Sequence, residues 1–167
     1  MGKQGRPKKV KGVDVPRGTV EEKSLEERKA ELRATIAEKE KIMGEYEGTH
    51  KIEFFKPFYY QEKVLEHIYN GKKVVTLQGG NGIGKTVLGA CVVGSACLGI
   101  QPWDKRETIF GRRPVSVRIL CSDWEKHAAT VIVPKLKEWL PIGEYSTAKN
   151  NVGVESKFTF KNKSTIE

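Results

Sequence analysis

The sequence of 167 residues has no long uninterrupted hydrophobic run. A helix that crosses a bilayer needs about 20 consecutive apolar residues, so we expect no transmembrane segment. The first residues are charged and lack the apolar core of a secretory signal, so we expect no signal peptide either. The apolar fraction of 38% is nevertheless sufficient for a hydrophobic core, which argues against a wholly disordered chain.

Cysteine is scarce as well. The three cysteines, Cys91, Cys97 and Cys121, form no CxxC pair, and any pairing between two of them leaves one over. This is not the pattern of a disulfide framework. We therefore predict reduced thiols in an intracellular protein.

Positive charge is plentiful but unevenly distributed. The chain carries 30 Lys and Arg against 21 Asp and Glu, which gives a formal net charge of +9. Residues 1–20 have a balance of +5, residues 21–50 of −3 and residues 51–167 of +7. An isoelectric point near 9.4 suits a polyanionic partner such as nucleic acid, although many basic proteins bind none.

The changes in composition predict three parts, of which residues 1–19 are the first. This segment is rich in Gly, Pro, Lys and Arg, and we expect a disordered basic arm. The arm contains the sequence GRPKK at residues 5–9, which resembles the core of an AT-hook, a reader of the minor groove. Arg6, Lys8 and Lys9 are therefore candidate DNA contacts. A basic tail that only aids solubility is the interpretation we prefer.

Residues 20–50 form the second part, a charged helical segment. The stretch 20–47 lacks Pro and is rich in Glu, Lys, Arg and Ala, which favours a helix. A few apolar side chains repeat along one thin helical face: Leu25, Leu32, Ile36 and Met43. Such a thin stripe cannot hold a core by itself. We expect a mostly solvated helix, with a docking surface for a partner as the alternative.

The third part, residues 51–167, has the pattern of an α/β domain. Two β-branched runs predict buried parallel strands: 73–78 and 115–121. The last stretch, 152–167, alternates like short strands. Phe158 and Phe160 are expected on one face, with a turn near Asn162.

Helices alternate with these strands in the prediction. Two are expected at 61–69 and 85–98. The stretch 99–114 that follows contains Gly, Pro and several cations, and predicts an exposed basic loop. A third helix is expected after Ser122, which forms a capping-box pattern with Glu125. Pro134 should kink or restart this helix, which should end before Pro141.

The segment between the first predicted strand and the helix 85–98 carries the most specific motif. It matches G-x-x-x-x-G-K-[ST] in full: Gly79, Gly80, Asn81, Gly82, Ile83, Gly84, Lys85 and Thr86. Glycines let the backbone turn its N–H groups towards phosphate oxygens, and the following helix presents its positive end to the same anion. Lys85 is expected to reach the β- and γ-phosphates, and Thr86 to bind Mg²⁺. We predict that these residues bind a nucleotide.

Gln61 is a candidate for recognition of the base. It lies 24 residues before Lys85 and follows a cluster of aromatic residues. A glutamine amide can both donate to and accept from the edge of adenine, which distinguishes ATP from GTP. An aromatic neighbour can stack on the base. The alternative is an ordinary surface glutamine.

Hydrolysis needs an acidic residue after a second strand to hold Mg²⁺, and a group that orients the attacking water. Asp123 and Glu125 follow the predicted strand 115–121 and are candidates for these two roles. Both are equally suited to the start of a helix, where the helix dipole favours carboxylates. We prefer the helix-start interpretation.

Several segments, taken in order, resemble the ATPase domain of a bacteriophage terminase large subunit. The resemblance covers about two thirds of the chain and runs through residues 56–61, 79–86, 114–123, 133–141 and 160–167. It implies a P-loop NTPase with a mainly parallel sheet flanked by helices, a partial RecA/helicase-like ATPase core. It also implies a motor in the host cell cytoplasm that uses ATP and Mg²⁺ to drive double-stranded DNA into a procapsid.

The resemblance further implies partners and residue roles. The partners are a terminase small subunit, a portal and further copies in a homo-oligomeric ring, and a nuclease domain is expected outside this chain. Gln61 matches the adenine-contact position, and Lys85 and Thr86 match the phosphate and magnesium positions. The stretch 121–123 matches a helicase-like segment, whereas the acidic motif comes later in the family. We therefore expect residues 51–167 to be a P-loop ATPase domain truncated before its second acidic motif, with little or no hydrolysis by this chain alone.

The basic loop is the candidate DNA contact in the domain, through Lys105, Arg106, Arg112 and Arg113. Such contacts bind phosphates without reading bases, which suits a translocase. The alternative is that these charges only solvate an exposed loop. Many relatives carry an arginine where Gly82 stands, and Arg112, Arg113 or a neighbouring subunit could replace it.

Two other functions fit the same sequence. The first is another DNA-dependent P-loop ATPase, such as a helicase or a loader. The second is a non-enzymatic DNA-binding or assembly module that uses residues 1–50 and has a vestigial nucleotide loop.

Overall fold

The computed structural model describes residues 24–111 and 113–167. The predicted basic arm, with Arg6, Lys8 and Lys9, lies outside the described residues, as does Arg112. The chain divides into two units, Met1–Glu38 and Lys39–Glu167.

The first helix, α1, spans Leu25–Thr49. It begins with a capping box, in which the Ser24 amide donates to Glu27 Oε2 at 2.8 Å and the Glu27 amide donates to Ser24 Oγ at 3.3 Å. Carboxylates in its first turn also complement the helix dipole. No residue of α1 is buried. The predicted helix is thus present from residue 25 onwards, with its side chains exposed in the single chain.

Two further helices carry the predicted site. A short 3₁₀ helix at Lys51–Phe54 is followed by α2 at Tyr59–Tyr69, which buries Leu65. Helix α3 spans Lys85–Leu98, as predicted, and lies between glycines with left-handed φ angles: Gly84 at +76° and Gly99 at +76°. Both predicted helices are confirmed.

The sheet is small and mixed. Its four strands are β1 at Ser116–Val117, β2 at Tyr145–Lys149, β3 at Glu155–Phe160 and β4 at Thr165–Ile166. They lie in the order β1-β4-β3-β2. Only β1 and β4 are parallel, whereas β4 pairs with β3 and β3 with β2 in antiparallel fashion.

The predicted mainly parallel sheet is therefore wrong for the described strands. Tight turns join β2 to β3 and β3 to β4, and connections of this length join only antiparallel neighbours. The turn near Asn162 is confirmed, and Phe158 and Phe160 are both buried on one face of β3. Strand β2 had no signal in the sequence because four of its five residues are exposed.

The two predicted buried strands have different outcomes. Residues 73–78 form no strand, and Val74 is 83% exposed, so this prediction is wrong. Residues 115–121 form a strand only at Ser116–Val117. That segment alternates between half-buried and exposed residues, so it is not buried on both faces.

The third predicted helix is confirmed with one change at its start. A π-helix at Trp124–Ile132 leads into α4 at Val133–Trp139, where Pro134 lies in the first turn. The cap is Asp123 and not Ser122, because the Asp123 carboxylate accepts the amides of Lys126 and His127. The predicted capping box of Ser122 and Glu125 is thus corrected.

The core consists of two clusters on α3. The sheet cluster contains Ala90, Cys97, Leu136, Leu140, Phe158, Phe160 and Ile166. The α2 cluster contains Ile52, Phe55, Leu65, Leu88 and Cys91. Trp139 packs against both clusters, so the described domain is an α/β structure built around α3.

Candidate nucleotide-binding site

The predicted motif, residues 79–86, forms a turn that leads directly into α3; we call it the glycine loop. Gly82 and Gly84 have φ angles of +84° and +76°, which side-chain-bearing residues rarely adopt. A Cβ on Gly79 would lie 2.2 Å from Ile83 Cδ1, so a side chain at this position would displace the end of the Ile83 side chain. Cβ atoms at Gly80 and Gly82 would meet open space. The loop is thus closed by Ile83 on one side and open at Gly80 and Gly82.

Lys85 folds back over the loop that precedes it. Its Nζ donates to the carbonyl of Gly79 at 2.8 Å and to that of Gly80 at 2.6 Å. An ammonium held by neutral carbonyls remains electrostatically unpaired, so an anion at the loop would compete for it. Thr86 follows in the first turn of α3 and is exposed, beside amides that the helix leaves without intrahelical partners.

Helix α2 holds the glycine loop from the other side. Tyr60 Oη donates to the carbonyl of Ile83. Gln61 Nε2 donates to the carbonyl of Gly84 at 3.3 Å, and Gln61 Oε1 accepts the amide of Phe58 at 2.9 Å. The structure therefore brings Gln61, which lies 23 residues before Gly84 in the sequence, to the glycine loop.

The contact of Gln61 with the glycine loop differs from its predicted contact with the base. The side chain is 1% exposed, and its two hydrogen bonds use one donor hydrogen and one acceptor lone pair. An amide retains one further hydrogen and one lone pair, which adenine could use once the side chain is uncovered. The base contact of Gln61 stays a prediction.

Exposed aromatic side chains lie at the start of α2. Phe58 is 62% exposed and Tyr59 is 73% exposed. The rings of Phe58 and Tyr60 are stacked, with centroids 5.8 Å apart and planes at 14°. Since Tyr60 also contacts the loop, an aromatic surface suited to a base borders the glycine loop.

Asp123 makes hydrogen bonds within the first turn of the π-helix. Its carboxylate accepts the Lys126 and His127 amides, and Asp123 Oδ2 lies 3.0 Å from His127 Nδ1. The Lys126 amide, together with the His127 contacts, lowers the pKa of the Asp123 carboxyl. Ser122 Oγ approaches the same Nδ1 atom at 2.7 Å, so Ser122, His127 and Asp123 do not form a catalytic triad. Glu125 is exposed in the same turn.

The predicted basic loop is only partly free. Lys105 Nζ pairs with Glu53 at 2.9 Å, and Arg106 Nε pairs with Asp104 at 2.9 Å. Burial raises the pKa of Glu53, but the hydrogen bonds from Lys105 and Tyr46 outweigh this effect and lower it. Two of the predicted DNA contacts thus already have acidic partners.

The rest of the basic loop is folded back on the domain. Its backbone is tied by bonds from the Gln101 amide to the Arg106 carbonyl and from the Thr108 amide to the Gly99 carbonyl. Gln101 and Thr108 are buried, whereas Arg113 is exposed. The exposed loop of the prediction is therefore an ordered turn with exposed charges.

The described residues contain no group of three or more His, Cys, Asp or Glu that could hold a metal ion. None of the helices in that part of the chain is long and apolar enough to cross a membrane. All three cysteines are free, with Cys91 and Cys97 buried and Cys121 exposed.

No protein-family model, curated protein or solved structure matches this chain. The candidate site therefore rests on its own residues and geometry. The resemblance to terminase large subunits stays a prediction.

Two features of the site escaped the sequence analysis. Tyr60 fixes the Ile83 carbonyl, and the Ile83 side chain fills the space beside Gly79. The only signal for Tyr60 was its position directly before Gln61. Ile83 occupies a position at which the motif allows any residue, so no sequence signal indicates its role.

Proposed function

We propose that the glycine loop binds ATP together with Mg²⁺, and that the chain is the nucleotide-binding part of a DNA-packaging ATPase of the terminase kind. The observation that carries the proposal is the position of Lys85. Its ammonium lies on the carbonyls of Gly79 and Gly80, at the N-terminus of α3 and within an open glycine turn.

Phosphate recognition follows from this arrangement. An incoming triphosphate offers Lys85 charged oxygens in place of neutral carbonyls, and hydrogen bonds between charged groups are the stronger ones. The open space at Gly80 and Gly82 leaves room for phosphate oxygens near the backbone. We assign to Thr86 the role of giving its hydroxyl to Mg²⁺, which the phosphates largely hold themselves.

The region beside the loop favours an adenine base. Phe58, Tyr59 and Tyr60 offer exposed aromatic surface, and Gln61 offers an amide with unused bonding capacity. We assign stacking to the aromatic residues. Gln61 is the candidate for discrimination between ATP and GTP.

Hydrolysis by this chain alone is proposed to be slow. A residue that holds Mg²⁺ through water, or that activates water, needs a carboxylate free to face the phosphates. The Asp123 carboxylate instead caps the π-helix, which supports the helix-start interpretation. Asp123 and Glu125 remain the second choice for the catalytic acids.

The DNA-packaging role rests on charge as well as on the nucleotide loop. The net charge of +9 favours a polyanion, and contacts to phosphates alone permit movement along DNA. Among the described cations named in the basic loop, Arg113 is exposed and has no recorded acidic partner, unlike Lys105 and Arg106. A ring of copies on a portal, with a small subunit, is part of the same proposal.

The first experiment measures ATP binding by the 167-residue chain with Mg²⁺. Lys85→Ala should weaken binding by about 10- to 100-fold, because hydrogen bonds to charged groups contribute about 1.5–3 kcal/mol. Lys73→Ala is the matched control, since Lys73 is exposed and lies outside the loop. Equal affinities of all three proteins would overturn nucleotide binding at this loop.

The second experiment measures ATP turnover with and without duplex DNA. Slow turnover together with Lys85-dependent binding supports the packaging proposal. Fast turnover that Lys85→Ala abolishes would contradict the proposed slow hydrolysis and would move the catalytic roles to Asp123 and Glu125. The salt dependence of duplex binding tests the DNA contact, since Arg113→Ala should reduce its log–log slope by about one if Arg113 contacts a phosphate.

A further inference from the structure

Helix α1 has an apolar stripe with no covering partner among the described residues. The helix is 25 residues long and buries none of them. Four stripe residues are between 48% and 69% exposed: Leu25, Leu32, Ile36 and Met43. Isolated helices gain little stability in water without tertiary packing. A partner that covers the stripe would therefore stabilise α1 as well as bind it.

The spacing of the stripe is that of a coiled-coil seam. Apolar residues at intervals of seven, four and seven all fall on the two core positions of a heptad, the first two on one position and the last two on the other. Lys29 and Lys39 occupy core positions of the same heptads, and Arg33 and Glu40 occupy flanking ones. Core lysines weaken the seam and make its pairing depend on orientation, because a core position meets different residues in parallel and antiparallel pairs.

We propose that α1 pairs in antiparallel orientation with α1 of a second copy of this chain. A parallel pair in register would place Lys29 against Lys29 and Lys39 against Lys39. It would also bring Arg28 of one helix to Arg33 of the other. An antiparallel pair centred near residues 36–37 removes all three of these like-charge contacts.

The antiparallel pair also creates favourable contacts. Arg33 of each helix lies across from Glu40 of the other, so the two-fold axis generates this ion pair twice. Leu32 of one helix packs beside Met43 of the other. One like-charge match, Glu26 with Glu47, remains at the helix ends, where solvent screens it.

The proposal is independent of nucleotide binding, since none of these residues belongs to the glycine loop. Its first test is the mass of the whole chain by sedimentation equilibrium over a range of concentrations. The wild-type chain should show a reversible monomer–dimer equilibrium. The double variant Leu32→Ala/Ile36→Ala keeps helix-forming residues and should weaken dimerisation at least ten-fold. Leu120→Ala removes a leucine outside α1 that is 87% exposed and should change nothing.

A charge swap tests the orientation. Arg33→Glu should weaken the dimer about ten-fold, because it replaces two ion pairs with two repulsions. Arg33→Glu/Glu40→Arg should restore wild-type affinity. In a parallel pair Arg33→Glu would meet Arg28 and strengthen the dimer, which would overturn the antiparallel assignment. A wild-type chain that stays monomeric at every concentration would overturn the proposal altogether, and circular dichroism shows whether each variant retains its helix.

Discussion

Two segments of similar composition have different structures in this domain. Residues 73–77 and residues 115–119 are both rich in β-branched residues. The second segment is paired with the end of the chain, because the Thr165 amide donates to the Val115 carbonyl at 2.8 Å and the Ile119 amide donates to the Glu167 carbonyl at 2.7 Å. The first segment makes no backbone hydrogen bond to another described residue and forms no strand.

The difference shows that strand propensity depends on a partner. β-branched side chains favour an extended backbone, but they stabilise a strand only when they pack against neighbouring strands and are covered. Val117 meets both conditions through β4 and α3. Val74 meets neither and is exposed. The segment that leads into the glycine loop is thus less constrained than the strand beyond α3.

The first prediction compares the two segments by removing side chains. Ile166→Ala should lower the free energy of unfolding by about 2–5 kcal/mol, because Ile166 of β4 is 1% exposed within the sheet cluster. Val74→Ala should change it by less than about 0.5 kcal/mol. Urea denaturation measures both values. A large loss for Val74→Ala would show that residues 73–77 are covered in solution.

The second prediction concerns the two sides of α3. A Cβ on Gly94 would lie 2.7 Å from Leu140 Cδ2 and 2.9 Å from Ile52 Cδ1. Gly94→Ala should therefore cost about 1–3 kcal/mol through overpacking between the sheet and α2 clusters. At Gly89 a Cβ meets open space, so Gly89→Ala should stabilise the helix by up to about 1 kcal/mol. Thermal unfolding of both variants shows whether each one raises or lowers the melting temperature. A change in the same direction for both variants would contradict the close packing at Gly94.

The sequence predicted the helices well because their signals are local. Gly84 and Gly99 bound α3, Pro134 marks the start of α4, and the residue composition of α1 favours a helix. The sheet could not be predicted in the same way. Strand β2 carries almost no apolar pattern, and its pairing depends on a turn that brings it beside β3.

In the candidate site, too, features with a local sequence signal were predicted and features that depend on distant contacts were not. The motif places Lys85 at the start of α3, and the sequence alone predicted that position. The contacts of Tyr60 and Gln61 with the loop join residues 23 positions apart, and no local pattern indicates them. Asp123 was open to two interpretations until the hydrogen bonds of the π-helix identified it as a cap.

The third prediction concerns Asp123, which follows residues 115–119, the segment that pairs with the end of the chain. Its pKa is lowered in the folded state, so the charged cap stabilises the fold above the usual pKa of 3.8, and this contribution is lost as the pH falls through the lower folded value. Asp123→Asn should lower the melting temperature slightly at pH 6 and have no effect near pH 2. Glu125→Gln removes a charge from the same turn without the cap and is the control. An effect of Asp123→Asn that persists at pH 2 would contradict the linkage.

The last prediction tests the two core clusters separately, through the rate at which the buried thiol in each one is alkylated. Cys97 lies in the sheet cluster and Cys91 in the α2 cluster, and burial raises the pKa of Cys97 to about 12 and that of Cys91 above its ordinary range. At pH 8 an alkylating reagent should therefore label exposed Cys121 first, since the thiolate is the reactive form.

Substitutions then show whether the clusters open independently. Ile166→Ala should speed labelling of Cys97 more than that of Cys91, and Leu65→Ala should do the reverse, because each removes contacts from one cluster. Peptide mass spectrometry over a time course resolves the two sites. Equal acceleration of both thiols by either variant would mean that α3 and Trp139 couple the clusters into a single cooperative core. The glycine loop would then open only when the sheet also opens. This would hold although residues 73–77, which lead into the loop, make no backbone hydrogen bond to another described residue.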